Sequence, residues 1–544
     1  MARTVTIAEM LDHLTDLLKG SWRYATGLRG FLAVQTGYEE STTILTSQLQ
    51  NRDESFLRVL ELGIYGNHES PYRRLLLHAG FQFEHVHAMV HEEGLEATLT
   101  RLHDAGVYVT LEEFKGRTPV RRPDLEFGVT ERDFDNPLLT AHYMGSTGGS
   151  RGGGTRVPLD FDFLAYESLS WACHLNAQGI VGRPSVLWLG QPPSPVGLRS
   201  LFQFARIGRL PNEWFAPNKP SWNRQGIQGR ALTAYTILTS YLSGRPVPRP
   251  RFLEDESAIV EYLARATERG SPAVVVGLVS PAVRVCLAAE NAGADIRGTV
   301  FLAAGEPYTN GNAAVFERVG TRCVPTYAMQ EAGAVSRGCG APAMPDDMHI
   351  MTEKLALIQR PCERGGLSVQ ALFFTSLLPN SPKLMLNVET GDYGTVEERD
   401  CGCIWEQLGF TTHISGVRSY EKLTSESVTF MGSMLFELLE ETLPARFGGS
   451  PTDYQIVEEE EHGLPRVSLL VSPRLGQLDE DSILETVFDQ LAFADWSRRM
   501  SDQWRHSRTL RLQRREPYAT PAAKILPLHV LDSQSSRMDE PRQA

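Results

Sequence analysis

One stretch of the chain combines glycines with hydroxyl side chains at a spacing that suits phosphate binding. Within Gly145–Val157, six of thirteen residues are glycine and four are serine or threonine. Glycines let backbone N–H groups approach an anion closely and the hydroxyls add donors, so the stretch predicts a loop around a triphosphate. The residues of this predicted phosphate loop are Ser146, Thr147, Gly148, Gly149, Ser150 and Thr155. The Walker spacing and its lysine are missing, and a flexible surface loop is the alternative.

Two carboxylates follow apolar runs that predict buried strands. Val300–Ala304 leads into Glu306, and Cys323–Tyr327 leads into Glu331. In α/β sheets, ligands bind beyond the carboxyl ends of the strands. Mg²⁺ prefers one or two carboxylates together with substrate phosphates, so a glutamate at such a strand end can hold this ion. The tyrosine beside Glu331 can stack on a nucleotide base. For each glutamate taken alone, a solvated loop residue is the alternative.

The elements around these residues alternate between helical and extended patterns. This alternation predicts an α/β fold, with helices on the faces of a sheet. Residues up to about 110 are predicted to be mainly helical. The alternating runs are, in order, helix Phe161–Asn176, strand Pro184–Gly190, helix Glu256–Thr267, strand Ala273–Leu278, helix Pro281–Asn291 and strand Gly298–Ala304.

Composition and charge restrict the classes of function. The chain has 544 residues, enough for two or more domains, with 42% hydrophobic and 22% charged residues. A net charge of -13 disfavours a nucleic-acid partner, which would need a basic face. Neither a signal-peptide pattern nor an apolar stretch of membrane-spanning length is present, so a cytoplasmic protein without membrane contact is expected. Seven cysteines are too few for a disulfide framework and suggest metal binding or burial.

The motifs, in this order, resemble those of the acyl-adenylate-forming (AMP-binding) enzymes, and within them the phenylacetate–CoA ligase-like branch. Ser70–Leu76 and Thr110–Lys115 are similar to N-terminal segments of that branch. Ser146–Ser150 resembles its phosphate loop, and Gly305–Pro307 resembles its adenine-side turn. Tyr327–Glu331 is similar to the aromatic-to-glutamate motif whose glutamate holds Mg²⁺.

The resemblance continues to the end of the chain. Thr390–Asp392 resembles the motif whose aspartate binds the ribose hydroxyls, and Gly416–Arg418 resembles the arginine at the boundary with a small C-terminal domain. Pro521–Ile525 resembles the loop that delivers the catalytic lysine, here Lys524. The implied fold is a large multi-sheet α/β domain, residues 1–416, followed by a small mobile α+β lid, residues 417–544, whose polar tail starts at about residue 532.

The resemblance implies ATP-dependent activation of a carboxylic acid as an acyl adenylate with release of pyrophosphate. Lys524 would offset the repulsion between the carboxylate and the α-phosphate, and Mg²⁺ on Glu331 would neutralise the pyrophosphate. These two are the implied catalytic residues. The implied nucleotide-binding residues are Gly305, Glu306, Pro307, Tyr327, Ala328, Met329, Gln330, Asp392 and Arg418.

Three positions depart from the family pattern. The phosphate loop lacks the lysine that many relatives carry, which leaves Arg151 or Arg156 as candidate cations. Ala523 precedes the catalytic lysine, where relatives usually have glycine. Ser427 stands where relatives have a glycine that lines the path of the CoA pantetheine arm, and a Cβ there could narrow the channel.

The acid substrate is not identified by the sequence. Aromatic and apolar walls with a few polar groups are usual for a small-molecule pocket, although such residues also form ordinary core. The residues predicted to line the acyl pocket are Trp171, His174, Phe202, Trp214 and Val279.

Three thiols and an imidazole predict a structural zinc site. Cys339 and His349 follow the Glu331 motif, and Cys401 and Cys403 follow the Asp392 motif, so the four are expected to converge beside the nucleotide site. Cys₃His is a usual zinc ligand set. Buried cysteines without metal are the alternative, and Cys362 could replace one ligand.

The acceptor of the acyl group is left open between CoA and another group. Transfer to CoA follows from the branch that the chain resembles. Transfer to a carrier-protein thiol or to an amine is the alternative, favoured by Ser427 and the altered hinge around Ser419–Lys422. A nucleotide-binding protein without turnover is a third, disfavoured alternative. The expected partners are a small carboxylic acid, ATP, Mg²⁺ and CoA or a carrier protein, and a homodimer is left open.

Overall fold

The structure is a computed structural model that describes most of the chain. The described residues are 22–139, 143–146, 156–192, 194–217, 224–253, 255–364, 367–419, 422–425, 428–431, 437–450, 453–461, 464–491, 510–518 and 528–530.

Helices dominate the region before residue 115. Their apolar residues recur at three- and four-residue spacing, so each helix presents one apolar face, and most of these faces pack into a single core. The last of them is fixed by a capping box in which Thr110 and Glu113 satisfy each other's backbone N–H groups. The helices are α1 (22–33), α2 (Tyr38–Gln50), α3 (Arg52–Val59, continued as a π-helical turn over Leu60–Tyr65), α4 (Pro71–His78), α5 (Phe83–Glu93), α6 (Leu95–Asp104) and α7 (Leu111–Phe114).

Two short antiparallel hairpins come next. β1 (Val120–Arg122) pairs with β2 (Leu125–Phe127). β3 (Tyr143–Ser146) pairs with β4 (Arg156–Leu159), so the two strands flank the predicted phosphate loop.

A six-stranded parallel sheet forms the centre of the molecule, in the order β10-β9-β8-β5-β6-β7. Its strands carry apolar side chains on both faces, as a sheet covered on both sides requires. Leu187 and Val276 pack on one side with α8 and α9, whereas Val186 and Val275 pack on the other side with α11, α12 and α13. The strands are β5 (Ser185–Trp188), β6 (Glu213–Ala216), β7 (Pro250–Phe252), β8 (Val274–Leu278), β9 (Val300–Ala304) and β10 (Arg322–Thr326). The helices are α8 (Phe161–Ala177), α9 (Pro195–Arg206), α10 (Arg224–Leu242), α11 (Ser257–Glu268), α12 (Val279–Ala292) and α13 (Asn310–Arg318).

A second large sheet is mainly antiparallel and packs against the N-terminal helices. Its order is β13-β14-β18-β17-β16-β15. A small hairpin of β11 and β12 leads into it and encloses Glu331. The elements are β11 (Ala328–Met329), β12 (Gly333–Ala334), β13 (Ser336–Gly338), β14 (Met348–Ile350), β15 (Leu355–Arg364), β16 (Leu367–Ser376), β17 (Val388–Glu398), α14 (Ile404–Gln407) and β18 (Thr412–Ser419).

The C-terminal region has its own sheet and its own core. The sheet order is β23-β22-β21-β24, and the core includes Leu439, Tyr454, Val467 and Ile483. The elements are β19 (Lys422–Ser425), β20 (Val428–Met431), a π-helix (Glu437–Thr442), α15 (Leu443–Phe447), β21 (Tyr454–Glu461), β22 (Leu464–Val471), α16 (Glu480–Leu491), β23 (Leu510–Arg514) and β24 (Leu528–Val530).

The predicted α/β class is confirmed by these parallel and antiparallel sheets. The predicted domain boundary at residue 416 falls within β18 and stays a prediction. Of the helices in the described part of the chain, none combines the length and apolar composition that crossing a bilayer needs.

Candidate active site

The carboxylate of Glu331 is buried just beyond the end of β10. β10 pairs in parallel with β9, and their last residues, Thr326 and Ala304, lie opposite each other. The segments that lead to Glu331 and to Glu306 therefore start at the same edge of the sheet. The Nζ atom of Lys115 lies 2.6 Å from Oε1 of Glu331. Burial alone would raise the pKa of the Glu331 carboxyl, but the Lys115 ammonium overcomes this effect and the pKa is lowered to about 2. The site therefore holds a permanently charged carboxylate.

Tyr327 connects this motif to the predicted ribose-binding residue. Its hydroxyl donates a hydrogen bond of 2.7 Å to Oδ2 of Asp392 on β17. Burial, and next the negative charge of Asp392, raise the pKa of the Tyr327 hydroxyl well above its ordinary value. Because the phenol stays protonated, it positions one carboxylate oxygen of Asp392.

The adenine-side turn is tied to the start of α12. The Glu306 carboxylate accepts a 2.7 Å hydrogen bond from the backbone N–H of Ser280, in the first turn of that helix, where negative charge is favoured. Gly305 has φ +85°, and a Cβ there would lie 2.9 Å from Cδ2 of Leu278. Glycine is thus favoured by the backbone conformation, which other residues rarely adopt, and a larger residue would also push the Leu278 side chain aside. Pro307 follows directly in this turn.

A buried network of charges supports the hairpin that carries Glu331. Glu167 on α8 pairs with Lys354 through Oε1, while its Oε2 lies 3.3 Å from Nη2 of Arg199 and accepts from the backbone N–H of Ala334 at 2.9 Å. Nη1 of Arg199 also lies 3.4 Å from Oε1 of Gln330. Burial would raise the pKa of Glu167, but the two cations lower it, so the carboxylate is ionised.

Arg418, the arginine predicted at the domain boundary, lies at the contact between the main body and the C-terminal sheet. Nη1 of Arg418 is 3.8 Å from Oδ2 of Asp346. From the C-terminal sheet, Glu458 on β21 is half-buried. Its partial removal from water raises its pKa to about 7, an effect that Arg418 opposes and the charge of Glu306 reinforces. The predicted adenine-side turn and the predicted hinge residue therefore face the same strand of the C-terminal sheet.

The four predicted zinc ligands converge. The ligand atoms of Cys339, His349, Cys401 and Cys403 all lie within 4.8 Å of one another. The two sulfurs of Cys339 and Cys403 are 4.0 Å apart, and Nε2 of His349 is 3.6 Å from Sγ of Cys401 and 3.2 Å from Sγ of Cys403. In a tetrahedral zinc site the corresponding sulfur–sulfur and sulfur–nitrogen separations are about 3.8 and 3.5 Å.

The surroundings of this Cys₃His cluster also fit a metal. Nδ1 of His349 lies 2.7 Å from the carbonyl oxygen of Phe410, an arrangement that makes Nδ1 the protonated nitrogen and leaves Nε2 to bind a metal. A second group, Cys339, Asp347 and His413, also brings three ligand atoms together. Its Asp347 is already engaged by His413 at 2.7 Å and by Arg399. The Cys₃His set is therefore the better match to zinc.

Two details of the zinc prediction are refined by the structure. Cys401 and Cys403 lie in the connection between β17 and β18, so the cluster sits at the opposite end of β17 from Asp392 rather than beside it. Cys362, the alternative ligand, lies on β15, where its sulfur is 3.9 Å from Oε1 of Glu389.

All five residues predicted to line the acyl pocket are buried. Trp171, Phe202 and Trp214 share one apolar cluster, whereas Val279 packs on the opposite side of the parallel sheet. Neither ring nitrogen of His174 has a hydrogen-bond partner among the described residues. The ring centroid of His174 lies 5.9 Å from that of Trp171, so the structure brings four of the five together. Their role in binding the acid stays a prediction.

Several predicted site residues lie outside the described residues. Of the predicted phosphate loop only Ser146 is described, as the end of β3. Ser427 and the candidate catalytic Lys524 are also outside. The undescribed members of the phosphate loop are Thr147, Gly148, Gly149, Ser150 and Thr155.

Sequence reasoning missed the partners of the site carboxylates. Lys115 belongs to Thr110–Lys115, a segment that resembles the family, yet the sequence predicted no role for it. No role was predicted for Glu167 or Lys354 either. Lys115 is separated from Glu331 by 216 residues, and Lys354 from Glu167 by 187. The signal that could have revealed the second pair is the position of Glu167 and Lys354 within or beside apolar runs. A charged residue at such a position is rarely buried without a partner of opposite charge.

Comparison with known proteins places this geometry in a known fold. No protein-family model and no curated protein matches the chain. Among solved structures it is similar to 2-hydroxyisobutyryl-CoA ligase in complex with 2-HIB-AMP and CoA in the thioesterification state, with a TM-score of 0.54, 16% identity and 93% of each chain covered.

Two weaker likenesses were also found. A double mutant of o-succinylbenzoate CoA synthetase from Bacillus subtilis has a TM-score of 0.40 and 12% identity, with 72% of this chain and 69% of that chain covered. The amide bond synthetase McbA from Marinactinospora thermotolerans has a TM-score of 0.31 and 14% identity, with 94% and 99% covered. From the 2-hydroxyisobutyryl-CoA ligase match, the chain has the fold of the acyl-adenylate-forming enzymes, and the resemblance drawn from its motifs is confirmed at the level of the fold.

Proposed function

We propose that the protein activates a carboxylic acid with ATP and transfers the acyl group to CoA. In the first step a carboxylate oxygen attacks the α-phosphorus, the bond to the β-phosphate oxygen breaks, and pyrophosphate leaves. In the second step the CoA sulfur attacks the acyl carbon, the bond to the AMP oxygen breaks, and the thiol proton is released. The observation that carries the proposal is the convergence of Glu331, Tyr327 and Asp392 at the strand ends of β9 and β10.

Each of these residues has a defined task in the proposed reaction. Asp392, oriented by Tyr327, accepts hydrogen bonds from the ribose hydroxyls. Glu331 is the expected Mg²⁺ ligand, and the ion would supply charge neutralisation at the phosphates. The predicted phosphate loop would enclose the triphosphate, and Lys524 would bridge the carboxylate and the α-phosphate.

Adenylation is tested by pyrophosphate–ATP exchange with a panel of aromatic and aliphatic acids, and by trapping the adenylate with hydroxylamine. We expect at least one acid to support exchange, and Glu331→Gln and Lys524→Ala to abolish it. Glu290→Gln, in an exposed ion pair with Arg318 near the C-terminal ends of α12 and α13, is the matched control and should leave the rate unchanged. Exchange that survives Lys524→Ala would contradict the assigned role of the lysine.

A carrier-protein thiol or an amine is the second candidate acceptor. Ser427, in place of a channel glycine, favours it because an added Cβ narrows a path for the pantetheine arm. Adding CoA to the enzyme with its identified acid and searching for the thioester by mass separates the candidates. An adenylate that persists undiminished in the presence of CoA would exclude the CoA ligase and favour the alternative.

We also propose that the Cys₃His cluster holds a structural zinc ion. The support is the separation of the four ligand atoms and the carbonyl partner on Nδ1 of His349. With four protein ligands, no position is left for water or substrate, which is typical of structural rather than catalytic zinc.

A further inference from the structure

Resting on the proposed function, we propose that Lys115 binds the β- and γ-phosphates of ATP, and so supplies from another segment the lysine that the predicted phosphate loop lacks. In the free protein its ammonium pairs with Glu331, 2.6 Å away. In the nucleotide complex it would pair with phosphate oxygens beside that carboxylate.

The position of Lys115 is fixed by the turn that carries it. Its backbone N–H donates to the carbonyl of Leu111 in the last turn of α7, whose start is held by the Thr110 capping box. The next residue, Gly116, has φ +67°, and a Cβ there would lie 2.8 Å from the backbone of Thr130 and Glu131. Since the backbone is held on both sides, the side chain starts from a defined point and only its rotamers can redirect the ammonium.

The side chain of Lys115 is largely shielded from water and has a single anionic partner among the described residues. Its side chain is 15% exposed and that of Glu331 is 9% exposed, so the pair is shielded from water. Glu331 is the one hydrogen-bond partner of the Lys115 side chain among the described residues. The charge of such a shielded ammonium is compensated only while Glu331 is ionised and is not bound to another cation.

Other lysines of the site region are already committed. Lys383, whose charge also acts on Glu331, lies 2.7 Å from Asp135 and donates to the carbonyl of Glu131 at 2.6 Å. Lys354 pairs with Glu167 and donates to the carbonyl of Ala332. Moving either ammonium to a ligand would break two contacts, whereas moving Lys115 breaks one.

The chemistry of the expected Mg²⁺ site gives the reason for the exchange. When the Glu331 carboxylate is used by a divalent cation, it no longer balances the ammonium of Lys115. The triphosphate brings several negative oxygens to the same place, and a lysine there makes charge-assisted hydrogen bonds to them. AMP lacks the β- and γ-phosphates, so it has nothing for this ammonium to bind.

Equilibrium binding of ATP with Mg²⁺ and of AMP, measured by calorimetry, tests the proposal without turnover. For Lys115→Met we expect ATP affinity to fall roughly 10- to 100-fold and AMP affinity to stay within about twofold. Lys115→Arg should restore part of the ATP affinity. Arg117→Met is the matched control, because Arg117 is in the same turn but pairs with Glu112 at 2.8 Å, and it should change neither affinity.

A second comparison tests whether Lys115 binds phosphate or only compensates the charge of Glu331. It also gives a result if Lys115→Met alone fails to fold. The double variant Lys115→Met with Glu331→Gln removes both charges, and it is compared with Glu331→Gln alone. A further loss of ATP affinity in the double variant supports the proposal, and equal affinities overturn it. If the wild type binds AMP and ATP but the two variants do not differ, only this inference fails. If the wild type binds neither nucleotide, the proposed function fails as well.

Discussion

Replacing Glu167 by glutamine should destabilise the protein through its buried charge network. The carboxylate is 2% exposed and serves Lys354, Arg199 and the N–H of Ala334. Glutamine has almost the same shape but no charge. Since one side-chain oxygen of Glu167 faces Lys354 and the other faces Arg199, the amide NH₂ of glutamine must point at one of these two cations. Breaking a buried pair by neutralising one partner costs about 3 to 5 kcal/mol, because the remaining charges stay buried without compensation.

The measurement is the denaturant-induced unfolding of the main body followed by tryptophan fluorescence, for the wild type and Glu167→Gln. The double variant Glu167→Gln with Lys354→Met should recover much of the loss, because it removes one of the stranded cations. Glu290→Gln in an exposed pair with Arg318 is the control, for which no measurable change is expected.

The same substitution should also impair adenylation in protein that is still folded. Oε2 of Glu167 holds Ala334, and a Cβ on Gly333 would lie only 2.2 Å from this oxygen, so the carboxylate packs directly against the hairpin of Glu331. A loss of stability below about 1 kcal/mol, together with an unchanged exchange rate, would refute the view that this network positions the site.

Three further predictions concern pH, metal and nucleotide. Burial raises the pKa of Glu353 to about 7, above the ordinary 4.5. The unfolded chain therefore loses this proton at lower pH than the folded protein does. The free energy of unfolding of the wild type should fall by about 3 kcal/mol relative to that of Glu353→Gln as pH rises from about 4.5 to 7, and a constant difference between the two over this range would contradict the prediction. Protein purified without chelator should contain close to one zinc per chain, and Cys403→Ser should lose most of it; less than about a tenth of an equivalent in the wild type rejects the site. Asp392→Ala should weaken AMP binding about 10-fold or more, Tyr327→Phe should weaken it less, and equal affinities for wild type and Asp392→Ala would exclude the ribose contact.

The secondary structure around the site follows from local signals in the sequence. The strand predicted over Gly298–Ala304 starts two residues later, at Val300, and the predicted helix from Phe161 ends one residue later than expected. The strand is a continuous apolar run and the helix has apolar residues at helical spacing, and in each case polar or turn residues mark the end of the pattern. The convergence of the four predicted zinc ligands was also expected, because three thiols and an imidazole make up a usual zinc ligand set.

Long-range partners and the acyl pocket do not follow from the sequence. The pairing of Glu167 with Lys354 joins an α8 residue to one just before β15, and no local pattern encodes this contact. Aromatic residues are equally suited to a pocket wall and to a core. Trp214, for example, is fully buried with its Nε1 donating to the carbonyl of Leu189, so its type and burial do not distinguish the two roles.

One hairpin carries parts of three predicted sites. β17 starts near Asp392, its connection to β18 contains Cys401 and Cys403, and β18 ends near Arg418, which pairs in register with Tyr393. From Asp392 to the turn end of β17 is six residues, or about 20 Å of strand. A hairpin of this kind opens as one cooperative unit in native-state hydrogen exchange. Removing the proposed zinc should therefore speed amide exchange along both strands, including the amides beside Asp392. The predicted ribose-binding residues and the predicted domain boundary would then lose protection together with the metal end.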